Sequence, residues 1–250
     1  MFIRNESFYS FRRNYPVITV LVAIHFILFI WMNFLPGGTI IAQLGIGFNL
    51  AVAYGEYWRL VTPIFMHIGI GHVLFNSFSL VIFGPALERM LGKMKFIILY
   101  LLAGIIANIA TFFLEGISYS QHLGASGAIF GLLGAYVYIV MNRKDLIDRA
   151  NSQLVITIVI IGLVMTFVNS NINIIAHLFG LIAGAAIAPI LLIGIKSFSM
   201  HSHVQVRDTG TPTFNPNRWN QQRKNRKRLT LILWVGFGIL VFFGIINRFL

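Results

Sequence analysis

The sequence predicts an all-α, polytopic membrane helix bundle: a six-helix core followed by a seventh, C-terminal transmembrane helix. Three observations carry that reading. Hydrophobic residues make up 57% of the chain and charged ones only 10%, with a mean hydropathy of +0.81, far from a soluble domain of this size. Apolar stretches of near-spanning length recur along the chain, separated by connections that hold most of the charge. The net charge of +12 is therefore read as membrane topology rather than as a phosphate-binding face, and no nucleic-acid partner is expected. The chain has no cysteine, which excludes disulfides, thiolate catalysis and Cys-ligated metals.

The elements follow in order. Residues 1–16 form a short N-terminal segment, and Pro16 just ahead of the first apolar stretch, 17–35, suits a helix start. That stretch is about 19 residues long with no small-x-small site after it, so it is read as a span and not as a cleavable signal. Residues 36–72 form a long loop rich in Phe48, Leu50, Tyr54, Tyr57, Trp58, Ile64 and Phe65, expected to lie in the membrane interface with its aromatics at headgroup level. Further spans are expected at 73–91, 96–114, 126–141, 154–170 and 174–195. The fourth and fifth are short enough for their ends to sit below the surface, within reach of water. Residues 17–195 thus make the core. A basic linker, 196–228, carries Pro212 and Pro216 and ends in the run Arg223 to Arg228; it reads as a topological stop signal, with anionic lipid as an alternative partner. The seventh span, at 229–247, lies in the closing segment 229–250.

Charge orients the bundle. Arg4, Arg12, Arg13, Arg89, Lys93, Lys95, Arg143, Lys144, Arg149 and the linker cations all fall on one side if the N-terminus is cytoplasmic, leaving the C-terminus outside. A bacterial plasma membrane is expected, with an organelle membrane as the alternative.

The chemistry lies in two of the apolar segments. Ser126 stands in Gly124-Ala125-Ser126-Gly127, and His177 in Ala176-His177-Leu178-Phe179-Gly180. Ionisable groups at membrane depth are costly and mark function. Gly127, Gly131 and Gly134 give the fourth helix a small-residue stripe, as do Ala176, Gly180, Gly184 and Ala188 in the sixth. Two such stripes favour close backbone contact, which would set His177 opposite Ser126. A hydroxyl is a weak nucleophile until a base takes its proton, and an uncharged imidazole can take it. The seven acidic residues offer no third member at that depth, so a Ser–His dyad fits better than a triad. The backbone N–H of Ser126 at a helix start is one donor for a developing oxyanion, and His72 and Asn76, one helical turn apart, are two more. The alternatives are that Ser126 merely caps its helix and that the polar pair is structural. His67 with His72 raises a metal, but neither a His-Glu-x-x-His pattern nor a well-placed further ligand accompanies them; no metal and no other cofactor are expected.

These residues resemble the rhomboid intramembrane serine proteases over about residues 10–195. The resemblance rests on Trp58-Arg59, His72 with Asn76, Glu88 with Gly92, Gly124-Ala125-Ser126-Gly127, and Ala176-His177 with Gly180 and Gly184. It implies Ser126 as nucleophile, His177 as general base, and an oxyanion hole of His72, Asn76 and the Ser126 backbone. It also implies that Gly124 lets its loop approach the substrate and that the first loop is the family's laterally embedded loop. Phe130 departs from the family pattern, standing where well-known members have a tyrosine stacked on the histidine; the ring is kept and the hydroxyl lost. Glu88 and Arg89, near the cytoplasmic end, are read as structural.

The function expected is an intramembrane serine endopeptidase cleaving transmembrane segments of single-pass proteins within the bilayer, after a small residue and just before helix-weakening ones. The fifth helix, lacking a small-residue stripe, is the expected gate. Alternatives are a catalytically inactive rhomboid-like protein that binds membrane clients or serves quality control, and a transporter. Oligomeric state is not legible. The orientation has a direct test. Single cysteines at Ser118 and Asn169 should react with an impermeant thiol reagent from outside intact cells, and one at Ser202 should not; the reverse pattern overturns it.

Overall fold

In a computed structural model, residues 1–2, 4, 6–118, 121–169 and 172–196 are described. The expected linker beyond residue 196 and the seventh span lie outside the described residues. Two helices come first, α1 (Phe8–Asn14) and α2 (Pro16–Phe34). The first loop holds α3 (Gly38–Gly45), α4 (Asn49–Ala53) and two single 3₁₀ turns, Tyr57–Leu60 and Thr62–Phe65. Then come α5 (Ile70–Leu91), α6 (Lys93–Glu115), α7 (Ser126–Asn142), α8 (Arg149–Val168) and α9 (Ile174–Leu191). Among the described residues α2, α5, α6, α8 and α9 are long and apolar enough to cross a membrane, while α7, at 17 residues, is shorter.

Glycine fixes the centre. A Cβ added at Gly180 would collide with the carbonyl of Gly127, one at Gly184 with that of Gly131, and one at Gly134 with that of Leu181. The expected stripes on α7 and α9 therefore meet backbone to backbone, as small residues permit between helices in lipid. Helix α6 closes on the same pair, with the Ala103 and Ala107 methyl groups filling the space over Gly131 and Gly127.

The polar groups inside the bundle act mainly on backbone that would otherwise lack partners. In hydrocarbon each such group must be satisfied within the protein. The Glu88 carboxylate accepts from the N–H groups of Val17 and Ile18 at 3.0 and 3.1 Å, so it caps the start of α2 from across the bundle. Pro85 inside α5 has no N–H to offer the Val81 carbonyl one turn back; Arg4 donates to that carbonyl at 2.5 Å. At the end of α9 Lys95 donates to the carbonyls of Leu191 and Ile193 at 2.8 and 3.2 Å, and Arg143 to that of Ile195 at 2.8 Å. Cations counted above only as topological signals thus also close helix ends. Gly92, with φ of 76°, is the single residue between α5 and α6, a reversal that favours glycine.

Two expectations need correction. The fifth span is not short. Helix α8 starts at Arg149, where the Asp148 side chain accepts from the Asn151 N–H at 2.9 Å. That bond also holds the Asp148 carboxyl below its ordinary value. A capped polar first turn escapes a hydropathy window, and of the two short spans only α7 is short. The first loop, in turn, is not simply interfacial. Tyr54, Tyr57 and Trp58 are exposed, but Ile64 is buried beneath Gly104 of α6. Arg59 lies inside the loop, donating to the carbonyls of Gln43 and Ile46 at 2.8 Å each and to Glu56. The loop has a core of its own.

Helix contact of this kind leaves no room for a side chain. Gly184→Val should lower stability in detergent unfolding by at least the upper end of the ~1–3 kcal/mol typical of overpacking, because the obstacle is backbone. Gly71→Ala, where a Cβ meets open space, should leave stability unchanged or slightly raised.

Candidate active site

Ser126 is the first helical residue of α7; the cap position belongs to Ala125, which makes no side-chain capping bond. The alternative that the serine serves as cap is therefore not what the structure has. Three contacts from the first loop and its end hold the approach to it. Gly47 and His122 exchange backbone hydrogen bonds at 2.8 and 2.9 Å, the Gly124 N–H donates to the Pro63 carbonyl at 2.9 Å, and the Ala125 N–H donates to His67 Nε2 at 3.4 Å. His67, read from the sequence only as a possible ligand, is a buried brace for the serine loop. Its ring meets His25 at 4.6 Å and His72 at 5.0 Å, and His25 reaches Tyr100 and Ser77.

Gly124 has φ of 134°, and a Cβ there would come within 2.7 Å of His72 Nε2, while the Ser126 Oγ lies 3.8 Å from the same point. Its missing side chain makes room for the His72 ring, a reason for glycine beyond the one the resemblance implies. His72 and Ser126 therefore converge on one spot. Asn76 is buried on the same helix as His72 and donates one amide hydrogen to the His72 carbonyl at 3.2 Å, which leaves its second hydrogen free for another acceptor.

His177 is buried in the second turn of α9. The Asn173 side chain caps that helix by accepting from the Ala176 N–H at 2.8 Å, and its amide donates to Thr111 of α6 at 3.0 Å. The imidazole lies flat on Phe130, with centroids 4.2 Å apart and planes at 21°. Phe130 is one turn past Ser126, and Gly127 packs against Ala176, so the two glycine stripes bring the nucleophile candidate and the base candidate to the same level. The retained aromatic ring does stack. His177 Nδ1 is 2.7 Å from the Thr166 hydroxyl of α8. Sequence reasoning passed over Thr166 because a threonine inside a spanning helix commonly bonds its own backbone.

Comparison with known proteins identifies the family. Residues 54–194 match the family model described as Rhomboid domain. The chain belongs to the rhomboid family. It is 48% identical over 186 residues to "Putative rhomboid protease YdcA" of Bacillus subtilis, covering 74% of this chain and 92% of that protein. It is 39% identical over 178 residues to rhomboid protease GluP of the same organism, covering 70% of this chain but 34% of that one. Over 199 residues it is 29% identical to the chloroplastic RHOMBOID-like protein 9 of Arabidopsis thaliana, covering 76% of this chain and 43% of that one. Rhomboid membership and the apolar helices make this a multi-pass membrane protein, and the relatives named as proteases support intramembrane protease activity.

The geometry around Gly124 yields a test. Gly124→Ala should bring backbone strain of about 1–3 kcal/mol and push on the His72 ring. Cleavage of a membrane substrate should then fall by roughly 10²-fold, the size of one lost oxyanion donor. Wild-type turnover in a folded variant would show that the spot shared by His72 and Ser126 is not where chemistry occurs.

Proposed function

We propose that the chain is a serine endopeptidase that cuts transmembrane segments of single-pass proteins through a Ser126–His177 dyad. The observation that carries this reading is the convergence at one level of a half-buried serine at a helix start, an imidazole stacked on the ring one turn later, and a second imidazole beside the serine loop. In the proposed reaction His177 Nε2 takes the Ser126 proton as Oγ attacks the scissile carbonyl, then passes it to the leaving amine. Water, activated by the same nitrogen, releases the acyl-enzyme. The Ser126 N–H, the His72 ring and the free Asn76 amide hydrogen would stabilise the oxyanion, and Gly124 gives the loop its room. No carboxylate is needed to complete the set.

The domain organisation proposed is the catalytic core of residues 17–195, the N-terminal segment 1–16, the linker 196–228 and a final spanning helix in 229–250. With the N-terminus cytoplasmic in a bacterial plasma membrane, this site faces outward. Helix α8, the least buried of the five long apolar helices among the described residues, would admit the substrate laterally. Glycine-lined helices around the nucleophile leave little volume, so a small residue is favoured before the scissile bond.

The dyad should act as one unit. Ser126→Ala and His177→Ala should each reduce cleavage of a model transmembrane substrate to background, and the double variant should be no worse. A fluorophosphonate probe should label the parent protein at Ser126. Substantial turnover by either folded single variant would end the dyad assignment.

A further inference from the structure

We infer that Thr166 is a positioning residue for His177, setting the ring's tautomer from the helix proposed as the substrate gate. The inference rests on the dyad reading and adds to it a third member that is not an acid. Thr166 is fully buried, and its Oγ1 lies 2.7 Å from the Gly162 carbonyl and 2.7 Å from His177 Nδ1. A threonine hydroxyl has one hydrogen. A carbonyl cannot donate, so that hydrogen goes to Gly162 and the hydroxyl oxygen is left to accept. His177 must then carry its proton on Nδ1, which leaves Nε2 with a free lone pair. That is the form a general base requires. The opposite tautomer would place two acceptors, Nδ1 and the hydroxyl oxygen, face to face.

The surroundings support the assignment. Among the described residues no carboxylate bonds to His177, so the role filled elsewhere by an acid falls to a neutral hydroxyl. The buried positions of α8 are Val155, Val159 and Thr166, which with Gly162 form one helical face. At Gly162 that face receives the Phe130 ring, which in turn carries His177. The same face of α8 thus supports the imidazole twice, through the stacked ring and through the hydroxyl. Displacing α8 would remove the hydroxyl, so the base is oriented only while this helix is docked.

Hydroxyl removal without loss of shape is the test. Thr166→Val and Thr166→Ala should lower kcat about 10–100-fold with KM little changed, the range seen when the partner that orients a ligating histidine is lost. Thr166→Ser should restore kcat to within a few-fold of the parent. The loss should be equal for a transmembrane substrate and for a small water-borne ester, which needs no gate. In ¹⁵N-histidine spectra the His177 signal, assigned by its absence in His177→Gln, should show a protonated Nδ1 in the parent and in Thr166→Ser. In Thr166→Val it should show mixed or reversed protonation. Unchanged kcat in Thr166→Val, equal loss in Thr166→Ser, or a loss confined to the transmembrane substrate would each overturn the inference. If instead Ser126→Ala or His177→Ala cleaves, the dyad itself falls; a dead dyad variant beside a fully active Thr166→Val sinks this inference alone.

Discussion

Everything at the site depends on two helices touching through their backbones. Lipid tails are as apolar as leucine, so burying leucine gives no drive to hold helices together, and single interhelical hydrogen bonds average only about 0.6 kcal/mol. What remains is close packing. Gly127 against Gly180 and Gly131 against Gly184 remove the side chains that would hold α7 and α9 apart. The contact lies one residue past Ser126 on one helix and three past His177 on the other. A register set there sets the relation between Ser126 and His177, so under the dyad proposed above glycine at these positions matters to chemistry as well as to assembly.

Around that contact the polar groups divide by what they touch. Glu88, Arg4, Lys95, Arg143, Arg59, Asn49 and Asn108 all reach backbone N–H or C=O groups. They complete helix ends, a proline gap and the first loop, so their cost of burial is offset by backbone that would otherwise be unsatisfied. The site residues differ. His177 meets a ring and a hydroxyl, and the His72 ring fills the space that Gly124 leaves and meets the His67 ring. Apart from the buried His25–Ser77–Tyr100 set, which bonds side chain to side chain, the polar groups named above serve the backbone, and His177 and His72 do not share that task.

Much of this was legible in the sequence because spacing alone encodes it. Apolar runs give spans, and glycines at helical repeat give a face; Ser126, His177, His72 and Asn76 stood out as polar residues where lipid disfavours them. What was not legible depends on partners distant in the chain. Nothing near Glu88 shows that it caps α2, some 70 residues earlier, and nothing near Ile64 shows that the loop folds it inward under Gly104. The start of α8 was missed because its first turn is polar and its signal is a single capping aspartate. Thr166 was missed for a different reason. A threonine is silent in a hydropathy pattern, and its meaning appears only when the α8–α9 hairpin brings it to an imidazole eleven residues on.

That last residue bears on a conflict in the design of any protease that works inside a membrane. Under the lateral entry proposed above, a substrate helix passes between helices, which calls for one loosely held element, while a base must be held to within a fraction of an ångström, which calls for rigid neighbours. Among the described spans α8 is the least buried, yet its buried face touches Phe130 and His177. The helix exposes its opposite side, with Ile160, Val164, Phe167 and Val168. At the level of Thr166 it cannot leave without releasing the imidazole. Looseness and precision are therefore assigned to different faces of one helix. With the dyad and the α8 gate proposed above, a site that is fully ordered only when α8 is in place would hold its nucleophile inactive while the bilayer side is open, and would recover its base as the helix returns around a bound chain.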